Sequence, residues 1–214
     1  MMTISLFDAG KRFNRDWIFR HFNYTFEAGQ FYAITGPNGS GKSTLLQTLS
    51  GGMMLNEGSI EYRAGSLVSG IIKQASISTE NIYQHVSIAA PYLEVVEEMT
   101  LKEFLDFHQR FKPFLPGNTV ESIINSMGLE KAIHKQIRYF SSGMKQRVKL
   151  AQCIFSDAAI VLLDEPCTNL DMAGVQLYNQ LISDHCKKRM VIVSSNDHHE
   201  YEFCTHTINI MDYK

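Results

Sequence analysis

The segment that most constrains this chain is a nine-residue run, residues 36–44, that matches the pattern G-x-x-x-x-G-K-[S/T]. Loops with this pattern wrap around phosphate groups, and their glycines allow tight turns that direct successive N–H groups at one anion. Lys42 supplies a positive charge for the β and γ phosphates, and the Ser43 hydroxyl is a ligand for Mg²⁺. The predicted phosphate-binding residues are Gly36, Pro37, Asn38, Gly39, Ser40, Gly41, Lys42, Ser43 and Thr44.

The residues on either side of this loop predict a strand and a helix. Residues 31–34 are Phe-Tyr-Ala-Ile, as expected for a short buried strand. Leu45, Leu46 and Leu49 recur at helical spacing, and Gly51 ends the helix. The positive end of that helix then points at the bound phosphates. A glycine-rich turn without a ligand is the alternative, and this context disfavours it, so the sequence predicts binding of a nucleoside triphosphate.

A second chemical feature is an apolar run that ends in two adjacent carboxylates. Residues 159–163 are apolar on both faces, like a strand buried in a parallel sheet, and Asp164 and Glu165 follow them. Open α/β sheets bind ligands at the carboxyl ends of their strands. Asp164 therefore suits the Mg²⁺ shell, and Glu165 suits a general base that orients water at the γ-phosphate. An acidic turn after a core strand is the alternative, which the upstream phosphate loop disfavours.

A third feature is the start of a helix at Ser-Ser-Gly-Met, residues 141–144. Small residues at a helix start leave bare N–H groups that bind an anion. The alternative is an ordinary serine cap. The helix itself is predicted from the apolar residues that recur after this start, which are Met144, Val148, Ala151 and Phe155.

The rest of the chain divides into strand-rich and helical parts. Residues 2–34 alternate as strands do, and residues 53–90 carry short strands and turns. Thr100 and Glu103 form a capping box at the start of one helix, and Thr119 begins another. The helical block from about residue 100 to 155 is therefore predicted to be an insertion between two halves of a strand-rich core.

Composition excludes several classes of protein. The net charge of −2 offers no basic field for nucleic acid, and the longest apolar runs are far short of the roughly 20 residues that cross a bilayer. The four cysteines are scattered, as expected for free thiols in a reducing compartment. The chain is therefore predicted to be cytoplasmic and not to bind nucleic acid.

The order and spacing of four features resemble those of the ATP-binding cassette (ABC) ATPase family. The features are the phosphate loop, the Ser-Ser-Gly-Met helix start, the strand before Asp164 and Glu165, and Thr-Asn-Leu-Asp at 168–171. The resemblance covers about residues 2–210. It implies one ABC ATPase domain, residues 1–214, of the α/β P-loop NTPase class. The expected parts are a RecA-like core (about 1–90 and 156–214), an N-terminal antiparallel β region, and a helical subdomain (about 91–155).

The resemblance also implies a head-to-tail dimer that encloses two ATP molecules with Mg²⁺. Ser141 and Gly143 then look like signature residues that contact the γ-phosphate of the opposite subunit, and Asp171 looks like the aspartate that signals across the dimer. Phe13 looks like the aromatic residue that stacks on adenine. Taken without the resemblance, an aromatic residue such as Phe13 is more often a core residue.

The sequence departs from the family pattern in three places. The signature has Ser142 and Met144 where the family usually has glycine and glutamine. No glutamine stands in the stretch Ile-Ala-Ala-Pro at 88–91, where the family commonly has one for Mg²⁺ and water. Asn196 stands where the family has a catalytic switch histidine, and it donates a hydrogen bond but carries no proton as an imidazolium does. His198 replaces that histidine only if the register shifts by two residues.

The resulting prediction is an ATPase subunit of a membrane transporter, held at the inner face of the membrane by separate transmembrane subunits. Residues 91–96, Pro-Tyr-Leu-Glu-Val-Val, lie where the family docks its membrane partner, although they are equally readable as core. The alternative is an ATP-gated clamp with weak or no hydrolysis, favoured by the missing glutamine and histidine and disfavoured by Glu165. A chromosome or repair ATPase is a weaker option, because a long coiled-coil insertion is absent. The transported substrate, its direction and the identity of the second subunit stay open.

Overall fold

The computed structural model describes residues 2–68 and 71–214, which form two β-sheets and a set of helices. The strands are β1 (Met2–Phe13), β2 (Asp16–Glu27), β3 (Phe31–Thr35), β4 (Glu57–Val68), β5 (Ile71–Ile77), β6 (Val86–Ala89), β7 (Ile160–Asp164), β8 (Met190–Ser194) and β9 (His206–Asn209). The α-helices are α1 (Lys42–Leu49), α2 (Leu101–Phe111), α3 (Val120–Ser126), α4 (Ser142–Phe155) and α5 (Met172–His185). Short 3₁₀ helices lie between them, one of them at His198–Glu200.

The first sheet is antiparallel, in the order β2-β1-β4-β5. Alternate side chains of its strands, such as Ile4 and Leu6 on β1 and Phe22 and Phe26 on β2, are fully buried because a half-covered sheet hides every second residue. This sheet confirms the predicted N-terminal antiparallel region.

The second sheet is parallel, in the order β6-β7-β8-β3-β9, and both of its faces are covered. On β7, Ile160 and Leu162 belong to the core that includes α1 and the antiparallel sheet. Val161 and Leu163 belong to the other core, which includes α4 and α5. Because every residue of β7 is buried, the strand is apolar without alternation, as its sequence predicted.

The helices begin where their capping residues predicted. The Thr100 side chain accepts a hydrogen bond from the Glu103 backbone in a complete capping box, and Thr119 caps α3 in the same way. Helices α2, α3 and α4 share one hydrophobic core with the outer face of the parallel sheet. Subdivision of the chain into a core and a helical subdomain, with boundaries near residues 91 and 155, therefore stays a prediction.

The four cysteines are free thiols, as predicted. Across residues 2–68 and 71–214, none of the helices combines the length and the apolar character that a bilayer span requires.

Candidate functional site

The phosphate loop connects β3 to α1, and its glycines have backbone conformations that other residues rarely adopt. Gly36, Gly39 and Gly41 have φ angles of 143°, 77° and 103°. A Cβ atom on Gly41 would lie 2.2 Å from Ile18 Cγ2, whereas one on Gly39 would meet nothing within 4 Å. Gly41 is therefore required by both its φ angle and the space around it.

The charged and hydroxyl groups of the loop are largely buried. The Lys42 ammonium donates to the carbonyl oxygens of Gly36 (2.8 Å) and Pro37 (3.4 Å), so it is held across the loop. The Ser40 Oγ is buried and has no hydrogen-bond partner among the residues that the structure describes. A buried polar atom without a partner is costly unless a ligand supplies one. The loop is thus pre-organised to bind an anion.

A cavity of about 210 Å³ lies against this loop and is bordered by residues 38–44, Ile18 and Glu165. Phe13 does not line it. Phe13 lies in the β1–β2 hairpin, is 46% exposed and has the Lys11 Nζ 5.4 Å from its ring centroid. The reading of Phe13 as a core residue is therefore wrong, and its role in adenine stacking stays a prediction.

Two carboxylates follow β7 and have different surroundings. Asp164 is 2% exposed, and its Oδ1 has no hydrogen-bond partner within the described part of the chain. Glu165 has a left-handed backbone with φ of 45°, and its N–H donates to the Ser194 carbonyl at 2.9 Å. An unpaired carboxylate oxygen with this burial fits a cation, because a buried charge needs a partner. Asp164 therefore suits Mg²⁺, and the Ser43 hydroxyl borders the phosphate-loop cavity that Glu165 also lines.

The loop after Glu165 is held by side chains that sequence reasoning missed. The Gln146 side chain of α4 donates to the Pro166 carbonyl (2.6 Å), and the Cys167 N–H donates to the Glu200 carboxylate (2.7 Å). Burial raises the pKa of Glu200. Gln146 lies in the signature stretch, residues 140–147, but the sequence assigned it no role, and Glu200 belongs to no motif.

Asn196 contacts the phosphate loop directly. Its Oδ1 accepts from the Gly36 N–H (3.3 Å), and its Nδ2 donates to the Asn38 Oδ1 (3.0 Å). The ring of His198 instead packs against Tyr201, with 5.2 Å between the ring centroids, and its Nδ1 lies 3.6 Å from Glu202. The structure therefore places Asn196, and not His198, at the phosphate loop.

The stretch without the expected glutamine carries a tyrosine close to Asp164. β6 ends at Ala89, beside Leu163 of β7, and Tyr92 follows shortly after. Tyr92 is half-exposed, and the partial burial of its ring raises its pKa; a hydrogen bond with Gln47 opposes this effect, and the Asp164 charge adds to it. Tyr92 is thus a polar neighbour of Asp164, and Gln47 is a partner of Tyr92; neither belongs to a motif of the sequence.

The signature residues border a different cavity, of about 560 Å³. The Ser141 Oγ accepts from the Met144 N–H (3.3 Å), so Ser141 is the helix cap as well as a cavity residue. A Cβ on Gly143 would lie 2.9 Å from the Asn169 carbonyl oxygen. Arg147 and Asp171 form an ion pair at 3.7 Å in the same cavity, and the Asp171 Oδ1 caps α5 by accepting from Gly174 N–H. The signature helix and residues 169–171 are therefore in close contact.

Comparison with known proteins identifies one family. The model of the family described as "ABC transporter" matches residues 19–168, which is more than half of the chain. An ABC transporter ATP-binding protein of Bacillus subtilis (strain 168), YybJ, is 30% identical over 203 residues, covering 92% of this chain and 86% of its own.

A second relative and a solved structure agree with this match. The cytochrome c biogenesis ATP-binding export protein CcmA of Rhizobium meliloti (strain 1021) is 30% identical over 191 residues, covering 86% of both chains. The fold is also similar to a dimeric post-hydrolysis structure of the ATP-binding cassette MJ0796 bound to ADP and Pi. That similarity has a TM-score of 0.76 and 20% identity, covering 96% of this chain and 93% of that one. The predicted P-loop NTPase fold is confirmed.

Proposed function

The chain belongs to the ABC transporter family, and from that premise we propose that it pairs head to tail with a second ATPase subunit to enclose ATP between them. As a family member it is an ABC-type ATPase, which binds and hydrolyses ATP as part of a transporter. The dimer, the residue roles and the membrane partner are the parts that we propose.

The separation of the two cavities is the observation that carries the proposal. No residue of the phosphate loop lines the 560 Å³ cavity of Ser141 and Gly143, and neither signature residue lines the 210 Å³ cavity of the phosphate loop. One chain therefore offers two incomplete halves of a nucleotide site. A second chain, turned head to tail, brings its signature residues to the phosphate loop and completes the site.

Within this site we assign separate roles around the γ-phosphate. Lys42 and the N–H groups of the loop bind the phosphates, and Glu165 is the general base that orients water. Ser43 and the unpaired oxygen of Asp164 would hold Mg²⁺. The ion would neutralise charge that develops on the phosphate oxygens. Asn196 would sense the γ-phosphate, because its side chain is already hydrogen-bonded to Gly36 of the phosphate loop.

Two further roles concern residues at the edges of the site. Phe13 is exposed at the β1–β2 hairpin, where it is free to stack on adenine. Asp171 lies beside the signature cavity and would contact the second subunit. Both roles follow from the family resemblance and from the accessibility of these side chains.

We also propose that separate membrane subunits dock on residues 91–96. Tyr92, Leu93 and Val96 are exposed there, whereas Val95 is buried and anchors the segment. Exposed apolar groups that are adjacent in a chain indicate an interaction surface. This docking would hold the ATPase at the inner face of the cell membrane and would transmit ATP-driven closure to the transporter.

The hydrolysis assignment is tested by measuring phosphate release from the purified chain. Glu165→Gln is expected to lower the turnover number by roughly 10²–10⁴-fold, because general-base catalysis contributes about that factor. Affinity for ATP should stay unchanged, since the phosphate loop is intact. Equal turnover in the variant and the unmodified chain would exclude Glu165 as the base.

The head-to-tail arrangement is tested by mixing two inactive variants, Lys42→Ala and Ser141→Arg. In a mixed dimer, one site combines the intact Lys42 of one chain with the intact Ser141 of the other. Phosphate release should therefore reappear on mixing, whereas a chain that carries both substitutions should not complement itself. If mixed dimers form and stay inactive, the proposed sharing of sites is wrong.

A further inference from the structure

We propose that Gln146 and Glu200 are positioning residues that clamp the peptide group between Pro166 and Cys167 and so hold Glu165 in its catalytic orientation. This inference rests on the proposed role of Glu165 as the base. It assigns a shared task to two side chains that come from different parts of the fold and that do not line the phosphate-loop cavity.

The geometry of one peptide group carries the proposal. Its carbonyl oxygen, on Pro166, accepts from the Gln146 Nε2 at 2.6 Å, and its N–H, on Cys167, donates to the Glu200 Oε1 at 2.7 Å. Both polar atoms of the peptide are therefore bonded to side chains. Gln146 is 6% exposed and Glu200 is 5% exposed, so water does not compete effectively for these bonds. With both atoms bonded, the peptide plane has one favourable orientation.

Glu165 needs such support because its backbone is in an unfavourable region. A left-handed φ of 45° is rare for residues with a Cβ atom, and it persists only where the surroundings enforce it. On the strand side, the Glu165 N–H is bonded to the Ser194 carbonyl. On the other side, the Glu165 carbonyl accepts from the Thr168 N–H (3.2 Å) and hydroxyl (2.9 Å), and the following peptide, between Pro166 and Cys167, is the clamped group. Rotation of that group would propagate to Glu165 and would turn its carboxylate away from the phosphate loop.

The two clamping residues connect the Glu165 loop to both halves of the proposed ATP site. Gln146 lies on α4, whose first turn carries Gly143. Glu200 follows Asn196, which bonds to the phosphate loop, and both line a cavity of about 410 Å³ that Glu165 also borders. The Glu200 Oε2 has no hydrogen-bond partner by distance and angle among the residues described, although the Ser195 hydroxyl lies close enough to lower the pKa of this carboxylate.

The kinetic test compares variants that remove or keep the required group. Glu200→Ala and Gln146→Ala should each lower the turnover number by about tenfold or more, because each leaves a buried polar atom unpaired. KM for ATP should not change. Glu200→Gln keeps an acceptor for the Cys167 N–H and should stay within about threefold of the unmodified chain. Gln146→Glu replaces the donor by an acceptor and should be as impaired as Gln146→Ala.

The matched control is Glu202→Ala, which removes an exposed carboxylate that pairs with His198 and His199. It should leave turnover unchanged, and thermal unfolding should report whether any variant has lost its fold. The clamp is overturned if Glu200→Gln is as impaired as Glu200→Ala, or if KM changes in parallel with turnover.

A second measurement does not depend on turnover. Selective ¹⁵N labelling of cysteine gives four amide signals, and Cys167→Ser identifies that of Cys167. The Cys167 amide should exchange with solvent about tenfold faster in Glu200→Ala and in Gln146→Ala than in the unmodified chain. The Cys186 and Cys204 amides donate to backbone carbonyls and serve as internal references.

The two measurements separate failure of the clamp from failure of the proposed function. If Cys167 exchange is unchanged in Glu200→Ala, the clamp is wrong whatever the turnover. If exchange accelerates while Glu165→Gln and the unmodified chain release phosphate equally, the peptide is clamped but Glu165 is not the base, and the positioning role in catalysis is overturned.

Discussion

The phosphate loop and the loop after Glu165 border the same cavity, of about 410 Å³, yet they are held in different ways. The phosphate loop is held chiefly by its own atoms, through three left-handed or unusual glycines and the bonds of Lys42 to two loop carbonyls. The Glu165 loop is held by its own Thr168, whose N–H and hydroxyl donate to the Glu165 carbonyl, and also by three remote groups: the Ser194 carbonyl, the Gln146 amide and the Glu200 carboxylate. The part that binds phosphate is thus encoded mostly locally, whereas the part that orients the base also depends on the assembled fold.

The largest expected effect tests the local encoding of the phosphate loop. Gly41→Ala places a Cβ atom 2.2 Å from Ile18 Cγ2 at a φ of 103°. Left-handed strain and overpacking together should destabilise the native conformation of the loop by about 3 kcal/mol. Affinity for ATP should therefore fall by about 100-fold, measured by titration with a fluorescent ATP analogue. Thermal unfolding should report the same loss as a lower midpoint.

Gly39→Ala is the matched control, because its φ of 77° is also left-handed but its Cβ meets nothing within 4 Å. This substitution should destabilise the native conformation of the loop by only about 1–2 kcal/mol, because backbone strain is its only effect. If Gly39→Ala weakens ATP binding as much as Gly41→Ala, the loop is sensitive to any added side chain, and the specific contact with Ile18 is not what limits it.

The same contrast explains which features were predictable from sequence. The glycines and Lys42 act on atoms within the loop, so the motif alone predicted their arrangement. The β7 strand and the capped helices were predictable for a similar reason, since periodicity and capping are local. Gln146 and Glu200 carried no such signal, because each acts on a peptide far away in the sequence.

A smaller effect is expected from a remote glycine that supports the Glu165 loop. Gly143→Ala would bring a Cβ atom to 2.9 Å from the Asn169 carbonyl and would displace that loop. Turnover should fall by about tenfold, whereas ATP affinity of the isolated chain should stay the same, because overpacking of 1–3 kcal/mol acts away from the phosphate loop. Phosphate release and analogue titration measure the two quantities.

Ser142→Gly is the control at the neighbouring position, whose side chain is exposed. It should leave turnover unchanged or only slightly altered. A fall in ATP affinity of isolated Gly143→Ala chains would break the comparison, because it would mean that the signature helix also shapes the phosphate loop.

Lowering the pH should reduce the stability of the fold without affecting either loop. Burial, with a smaller effect of the Lys112 charge, lowers the pKa of His108 on α2 from 6.5 to about 4. Between these two pH values the unfolded chain binds a proton that the folded chain excludes, so stability is lost as pH falls through this window. Because His108 is partly exposed, solvent weakens this effect, and the expected loss of unfolding free energy is about 1 kcal/mol.

His108→Gln should remove this part of the pH dependence, measured as the free energy of unfolding in urea at several pH values. Neither loop contains a histidine, so ATP affinity should not depend on the protonation of His108. Equal pH dependence in His108→Gln and the unmodified chain would show that this histidine titrates normally.

The smallest effect concerns Asn196, the remote side chain that does bond to the phosphate loop. Its amide contributes bonds of 3.3 Å to Gly36 and 3.0 Å to Asn38, both at exposed positions. If the loop is held chiefly by its own atoms, Asn196→Ala should lower the free energy of unfolding by only about 0.5–1 kcal/mol, since exposed hydrogen bonds contribute little. Asn81→Ala, which removes an exposed bond to Ser78, is the control in urea unfolding. A loss as large as that of Gly41→Ala would mean that the phosphate loop, like the Glu165 loop, depends on a distant residue for its shape.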